Sequence, residues 1–527
     1  MTAPAAFPDE SLPEGSVVDG ARATTPIEGS YDYVVVGSGA AGAVAAHVLA
    51  ESGATVALVE EGPWIKTRDF GESVSDAFGR MFRDAGTQVM QGRAYIPVIQ
   101  GRCVGGSTVV NSAIAHRTPD DVLADWAARF GLGAAIDPRV LEPHFDALER
   151  DLHASPVSDA ALGFKDRAFL GGADAHGLGA RRTHRYELGC EGSGRCFTGC
   201  PTAAKQGMNV SYVPWALTLG ARIFVGWRVD RVVVRGGRAV SVVANDVAHG
   251  QGEGGSPRPL TLHARRGVLV AASAVQTPNL LRRSGLRSPA LGQHFQCHPG
   301  SAIAGVFDDE LQARAGATQG AESTSLRQTL GVKFETIALQ PELAAVRIPG
   351  VGRALMHRFG VYSHLTTWAM VLRAGAEGTV DAAWGGRDRV RFNPSSSDMQ
   401  RAVRGIALLA RMMFEAGARE VWPGLYGVPA TLRSIDDVRA IDAMPADARH
   451  FSFISTHLFG TARMGLDPRA SVVGPDFQSH EVRGLYVVDS SVFPTNLGVN
   501  PQHSIMAMSR LAATRLAAGR TRFNAAA

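Results

Sequence analysis

Between Tyr33 and Gly62 the chain reads YVVVGSGAAGAVAAHVLAESGATVALVEEG. These residue types and spacings suit the binding of an adenine dinucleotide. In Gly37-Ser38-Gly39-Ala40-Ala41-Gly42, Gly37 allows a sharp turn and Gly39 lets the backbone approach a pyrophosphate. Gly42 lets the following helix pack on the sheet. The free N–H groups at that helix start face the phosphates. Glu60 lies 18 residues after Gly42, with Glu61 beside it, where an acid accepts hydrogen bonds from ribose hydroxyls. The turn alone does not separate FAD from NAD.

A second constellation is Cys190, Cys196 and Cys200, a C-x5-C-x3-C pattern within ELGCEGSGRCFTGCPTAAKQ. Three thiolates can hold a three-iron cluster, one per iron, and Pro201 follows the last cysteine as in bacterial ferredoxin loops. Free thiols in a packed loop are the alternative. A disulfide is disfavoured in a reducing compartment, and a zinc site lacks the usual gaps and a fourth ligand. A cluster would relay single electrons to a cytochrome or quinone. Without one, two electrons pass to oxygen or a quinone-like acceptor.

The elements that must carry these residues follow from periodicity. An apolar run at 33–36, a helical pattern after Gly42 and a second apolar run at 56–59 give strand, turn, helix and strand. A second glycine-dense loop occupies 101–108, and short helices are expected at 121–130 and 137–152. Runs at 223–225, 229–234, 239–243, 260–262 and 267–272 predict a three-stranded excursion that rejoins a parallel sheet. A helix follows Pro278. The apolar stretch 348–372 reads as a buried helix pair, or else as a greasy mouth or a patch touching membrane. A strand at 482–488, a loop at 489–500 and a helix at 501–518 return to the first unit.

The expected class is α/β: a discontinuous Rossmann-type dinucleotide domain plus a sheet-based substrate-binding domain. Residues 1–29 form a loosely held polar arm, and 30–118, 205–300 and 452–521 build the dinucleotide domain. Residues 119–204 and 301–451 build the substrate domain, which includes the cysteine loop.

Composition narrows the partners. The 527 residues are 45% hydrophobic and 19% charged, as in a large globular protein. Sixty glycines, about 11%, exceed the usual ~7% without any repeat, so they mark turns and close approaches. The formal charge of +4 demands no nucleic acid. No stretch reaches the ~18–20 apolar residues of a membrane span. The start has neither basic n-region nor apolar core, so the location expected is cytoplasmic. Membrane association, or export beside a signal-bearing partner, stays open.

Over nearly its whole length the chain resembles the glucose–methanol–choline (GMC) flavoprotein oxidoreductases. Four blocks carry the resemblance in the family's order: GSGAAG with Glu60; GRCVGGSTVVNSAIAHR at 101–117; SAVQTPNLLRRSG at 273–285; and HLFGTARMG at 457–465 joined to GLYVVDSSVFPTNLGVNPQHS at 484–504. The resemblance implies FAD and oxidation of an alcohol to a carbonyl. Val110 precedes Asn111 where some members carry a histidine bonded to the flavin, so the FAD should be non-covalent. The NxxDH-type segment reads Phe295-Gln296-Cys297-His298-Pro299, with cysteine in place of the acid, and Gly285-Leu286-Arg287 lacks a usual glycine.

The resemblance also implies roles. His457 matches the catalytic base, and an unperturbed imidazole pKa of about 6.5 suits that task. Asn500 would hold the substrate oxygen while flavin N5 accepts hydride, with His503 as a lower-ranked alternative. Asp489 and Ser490 match the ribityl–phosphate region. Arg102, Gly105, Gly106, Ser107, Asn111 and Ala113 match the loop over the pyrophosphate and isoalloxazine. Val229 matches the adenine contact, and Ala271 and Ala272 the small residues below the phosphates. Pro501 and Gln502 open a helix aimed at the flavin's pyrimidine edge, whose positive end favours the reduced anion.

The cysteine spacing is similar to that of GMC dehydrogenases bearing a 3Fe-4S cluster, and GCPTAAKQ to long-chain alcohol oxidases. A bulky apolar alcohol, long-chain or sterol-like, is the substrate expected. The alternatives are a sugar or polyol dehydrogenase working through the cluster, an FAD-containing lyase, and a non-catalytic FAD-binding protein.

Overall fold

The computed structural model describes residues 7–247, 258–310 and 314–519. Residues 1–6 of the expected arm and 520–521 of the carboxy-terminal stretch lie outside the described residues.

The strand Ile27–Val36 is central in an eight-stranded sheet. Val56–Glu60 pairs with it in parallel on one side and Pro259–Val270 on the other. Apolar runs without alternation arise here because both faces of a parallel sheet are covered; Val34, Val35, Val56 and Leu58 are all buried. The helix Ala40–Glu51 covers one face, and the helix Gln502–Ala517 packs on it, with Ser509 Oγ donating to Ala41 O at 2.7 Å. The expected three-stranded excursion is present: Trp227–Arg235, Arg238–Asp246 and Pro259–Val270 pair antiparallel, and the last continues into the parallel sheet. Leu485–Val487 then pairs with Pro259–Val270, so chain segments far apart in sequence assemble one unit.

Two expectations need correction here. The arm is not all loose: Val17–Asp19 is an edge strand paired in parallel with Arg222–Val225. Asp9 is buried and accepts from Thr67 N at 2.8 Å. A three-residue strand between polar segments has too little periodicity to read. The stretch 348–372 is not a helix pair. It holds one short helix, Arg353–Phe359, and then the fully buried strand Leu365–Leu372. A strand buried on both faces and a buried helix give the same unbroken apolar run.

The second sheet has seven strands. Gln296–Val306 lies between Leu365–Leu372 and Glu420–Trp422, and also pairs with Ile454–Phe459. Val332–Ile337 and Ala321–Ser323 extend the far side. One face packs on the helix Ser396–Glu415, where Phe334, Met370 and Ile406 join a single core. The other face looks back towards the first sheet. Strand alternation decides which residues take it: Phe334 points into the core, while Glu335 and Ile337 line the space between the sheets.

Among the described residues, no helix is long and apolar enough to cross a membrane.

Candidate active site

Between the two sheets runs one cavity of about 1140 Å3. At one end stands the glycine turn. Gly37 has φ +97°, and a Cβ there would meet Ala271 O at 2.4 Å. A Cβ on Gly42 would lie 1.8 Å from Gly37 O, so the helix start needs glycine to fold over the strand end. Gly39 instead faces open space, with Gly106 Cα the nearest atom at 3.8 Å from its Cβ position. That is the place where a phosphate backbone can come close. Gly37, Gly39, Ala40 and Ala41 line the cavity, and Ala271 and Ala272 lie beneath them.

Glu60 also lines this end. Its Oε2 accepts from Ser38 N at 2.9 Å and from Ser38 Oγ at 2.6 Å, and its Oε1 from Gly62 N at 2.8 Å. Burial pushes its carboxyl up, and these donors partly offset that. Ser38 itself is fully buried behind the wall, where it also accepts from Gly105 N at 3.1 Å. It therefore couples the glycine turn, the acid and the second loop. Glu61 is a lining residue held by Arg83 at 2.7 Å and by Arg102 at 3.3 Å. Burial raises the Glu61 carboxyl, but the two guanidiniums outweigh it and keep it below the usual range. Ser38, Gly42, Arg102 and Gly105 thus shape the wall from behind, and Val229 reaches the cavity directly.

The middle of the cavity is formed by Gly106, Ser107, Asn111 and Ala113 from the second loop. Asn111 Nδ2 donates to Gln502 Oε1 at 2.5 Å, and its Oδ1 accepts from Ala113 N at 2.9 Å. Facing them are Asp489, Ser490, Pro501 and Gln502. Asp489 is buried and takes three donors, Ser273 N, Thr277 Oγ1 and Ser491 N, at 2.6 to 3.0 Å. The start of the helix after Pro501 lines the cavity through Pro501, Gln502 and Ile505, and its first N–H groups have no intrahelical partner.

His457 and Asn500 both line the same cavity. His457 comes from Ile454–Phe459, which belongs to the second sheet. A register shift between Cys297 and Pro299 in the partner strand brings His298 against it. Their Nδ1 atoms are 3.2 Å apart and the rings are nearly perpendicular at 88°. Burial pushes the His457 imidazole down to about 4; Glu335 pulls the other way, and Lys333 and His116 add to the lowering. It is neutral at ordinary pH, as a base must be. Asn500 Oδ1 accepts from the buried ammonium of Lys333. His503 is elsewhere: it is fully buried against Tyr186 and Glu149 and has no place in the cavity wall.

The cysteine pattern does not form a ligand set. Among the described residues, no group of three or more His, Cys, Asp or Glu side chains is arranged to hold a metal. Each thiol has its own neighbours. Cys196 Sγ accepts from Arg185 Nη2 at 3.2 Å, Cys200 Sγ accepts from Lys205 N at 3.3 Å, and burial pushes Cys190, beside Glu187, up to about 11. No iron–sulfur cluster is shown at this loop among the described residues. Lys205 Nζ donates to Val109 O, Asn111 O and Cys196 O, so the loop braces the segment over the cavity.

Sequence reading missed Lys333, Glu335 and, as a site residue, His298. A signal was present. The chain has only four lysines, and Lys333 stands in VKFETI, a strand pattern that sends Lys333 and Glu335 to one face. Lys165, Lys205 and Lys333 are all buried.

The GMC oxidoreductase family models match residues 31–300 and 380–509. An uncharacterized GMC-type oxidoreductase of Mycobacterium tuberculosis is 34% identical over 504 residues, covering 95% of this chain and 78% of the relative. A long-chain-alcohol oxidase of Arabidopsis thaliana is 26% identical over 522 residues, covering 92% of this chain and 66% of that enzyme. Among solved structures, pyridoxine 4-oxidase from Mesorbium loti superposes with a TM-score of 0.69 at 18% identity, over 92% of this chain and 98% of that one. Formate oxidase of Aspergillus oryzae gives 0.70 at 18%, over 94% and 99%. With family models matching both its amino-terminal and its carboxy-terminal parts, the chain belongs to the GMC oxidoreductases and is an FAD-dependent enzyme of that family.

Proposed function

We propose that the protein oxidises a bulky apolar alcohol to a carbonyl compound. The observation that carries this reading is that His457 and Asn500 face one cavity together with the glycine cradle. Glu60, Gly37, Gly39 and Val229 would hold the adenine half of FAD, and Asn111, Asp489, Ser490 and Gln502 the flavin half. Bound there, FAD supplies the hydride acceptor.

The chain's own residues do the rest. His457, neutral through burial, takes the hydroxyl proton of the substrate at Nε2. The amide of Asn500 donates to the oxygen as negative charge builds on it, which is stronger in a site that excludes water. The outer cavity wall, with Ile337, Leu339, Leu343, Phe451 and Phe453, favours an apolar chain over a sugar. The likeness to a long-chain-alcohol oxidase points the same way. The reading as a sugar or polyol dehydrogenase depended on a cluster relay, which nothing among the described residues shows; oxygen or a small quinone-like molecule is the acceptor we propose.

The test is a panel of 1-dodecanol, cholesterol, sorbitol, glucose and mandelonitrile (a cyanohydrin) offered to FAD-loaded protein, with carbonyl product and acceptor reduction both measured. Turnover of the fatty or sterol alcohol supports the reading. Preference for the sugars removes the substrate class, and cleavage of a cyanohydrin without any acceptor reduction makes the protein a lyase.

A further inference from the structure

Lys333 is 0% exposed, and nothing in the proposed proton transfer uses it. It stands two residues from Glu335 on Val332–Ile337, and Glu335 pairs across the register with Glu322 of Ala321–Ser323. The three side chains therefore share one sheet face, below the cavity floor. The ammonium lies 2.9 Å from Glu322 Oε2 and 2.9 Å from Glu335 Oε2, and it donates to Asn500 Oδ1. An ammonium has three N–H donors and no acceptor. All three donors are thereby assigned.

This settles which way the Asn500 amide points. Only an oxygen can face a group that does nothing but donate, so Oδ1 is turned to Lys333 and Nδ2 away from it. Among the described residues no protein acceptor lies within hydrogen-bond reach of Nδ2, and Asn500 lines the cavity. Burial by itself would neutralise the lysine, but the Glu322 and Glu335 carboxylates outweigh it and hold the ammonium above its usual range. Glu322 is in turn pinned by His116, 2.8 Å away, and Arg181, 3.2 Å away. The positive charge stays fixed beneath the amide.

We infer that Lys333 is a positioning residue that locks the Asn500 amide with its NH2 group towards the substrate oxygen. The role rests on the reading of Asn500 given above. Without the lysine the amide turns freely, and half of its orientations present an oxygen lone pair to a developing alkoxide. The charge on Oδ1 also polarises the amide and strengthens its N–H as a donor. A lysine that merely neutralised two buried acids would do neither.

The experiment compares Lys333→Gln, Asn500→Ala, Asn500→Asp and the double variant Lys333→Gln/Asn500→Ala as FAD-loaded proteins. The limiting rate of flavin bleaching by 1-dodecanol without oxygen is read together with the half-saturating concentration. Lys333→Gln should lower the limiting rate about 10-fold or more while moving half-saturation less than about 3-fold, and the double variant should be no slower than Asn500→Ala alone. Asn500→Asp keeps an acceptor for Lys333 but loses both donors, and it should be as slow as Asn500→Ala. Multiplicative losses in the double variant, or a wild-type rate for Asn500→Asp or Lys333→Gln, would overturn the inference. Melting temperatures of the same set supply a readout without substrate: the loss caused by Asn500→Ala should shrink in the Lys333→Gln background, and equal losses in both backgrounds deny the coupling. If Lys333→Gln does not fold, Lys333→Met, which also lacks the charge and offers no donor to Asn500 Oδ1, takes its place in the same comparison. If 1-dodecanol does not bleach even the wild type, the alcohol reading fails, and the melting comparison alone decides whether Lys333 grips the amide.

Discussion

The Nδ1 atom of His298 faces the Nδ1 atom of His457 at 3.2 Å. His298 is buried and His457 half-buried, and both are neutral, since desolvation pushes each below its ordinary range. One Nδ1 therefore carries a hydrogen and the other accepts it. For His457 to take a proton at Nε2, its own Nδ1 must be the donor. His298 must then carry its hydrogen on Nε2, where Asn496 Oδ1 waits at 3.2 Å. Gly498 N–H, 3.0 Å from the same Nε2, pulls towards the opposite tautomer. His298→Ala removes the group that holds His457 in its working form. Alcohol-driven flavin bleaching should fall about 10-fold or more with FAD content unchanged, since a wrong tautomer disables a base without moving it. An unchanged rate would remove His298 from the account.

The depressed His457 pKa sets the acid limb of activity. A base must be unprotonated, so kcat/KM should rise with pH through about 4 and be flat above about 5.5. An inflection near 6.5 would mean that the imidazole is not buried as described.

Stability should follow the same groups. His144 is also held at about 4, by burial and by Arg510, whereas in the unfolded chain histidine titrates near 6.5. Above pH ~6.5 both states are uncharged and the contribution is complete. As pH falls from there towards 4, the unfolded chain binds protons that the folded one does not, and stability is lost. The melting temperature should drop steadily between pH 6.5 and 4.5. A flat or rising profile would contradict this.

Gly42→Ala tests the cradle. Its Cβ would sit 1.8 Å from Gly37 O, and neither backbone can move without shifting the sheet. A cost of about 1–3 kcal/mol or more is expected, with FAD content falling alongside the melting temperature. Wild-type FAD content in a stable Gly42→Ala protein would show that the turn does not carry the nucleotide.

The cysteines provide a further check. Cys196→Ala leaves the buried Arg185 Nη2 without its acceptor, at a cost of about 1–3 kcal/mol. The visible spectrum and the EPR trace of anaerobically purified protein should be those of a flavin alone, before and after the change. A cluster signal that Cys196→Ala abolishes would restore the relay.

What could be read from the residues alone was local. The turn from Gly37 to Gly42 and the acid at Glu60 lie within one strand–helix–strand unit, so their spacing is their geometry. His457 and Asn500 were found through resemblance to a family, since 42 residues of chain between them say nothing about a shared cavity. Glu322, Lys333 and Asn500 meet only because an antiparallel pairing sets one strand beside another under a distant loop. The three cysteines show the converse. Their spacing permits a shared ligand without fixing one, and in the fold Cys196 Sγ accepts from Arg185 Nη2 and Cys200 Sγ from Lys205 N.

The central claim is that His457 takes the proton from an alcohol held beside bound FAD. The most direct measurement is the flavin absorbance of oxygen-free protein mixed with 1-dodecanol, for wild type and for His457→Ala loaded to the same FAD content. The account predicts bleaching in the wild type and a rate about 10^2- to 10^4-fold lower in the variant. Equal rates in the two proteins, or a loaded wild type that neither fatty, sterol nor sugar alcohols bleach, would contradict it.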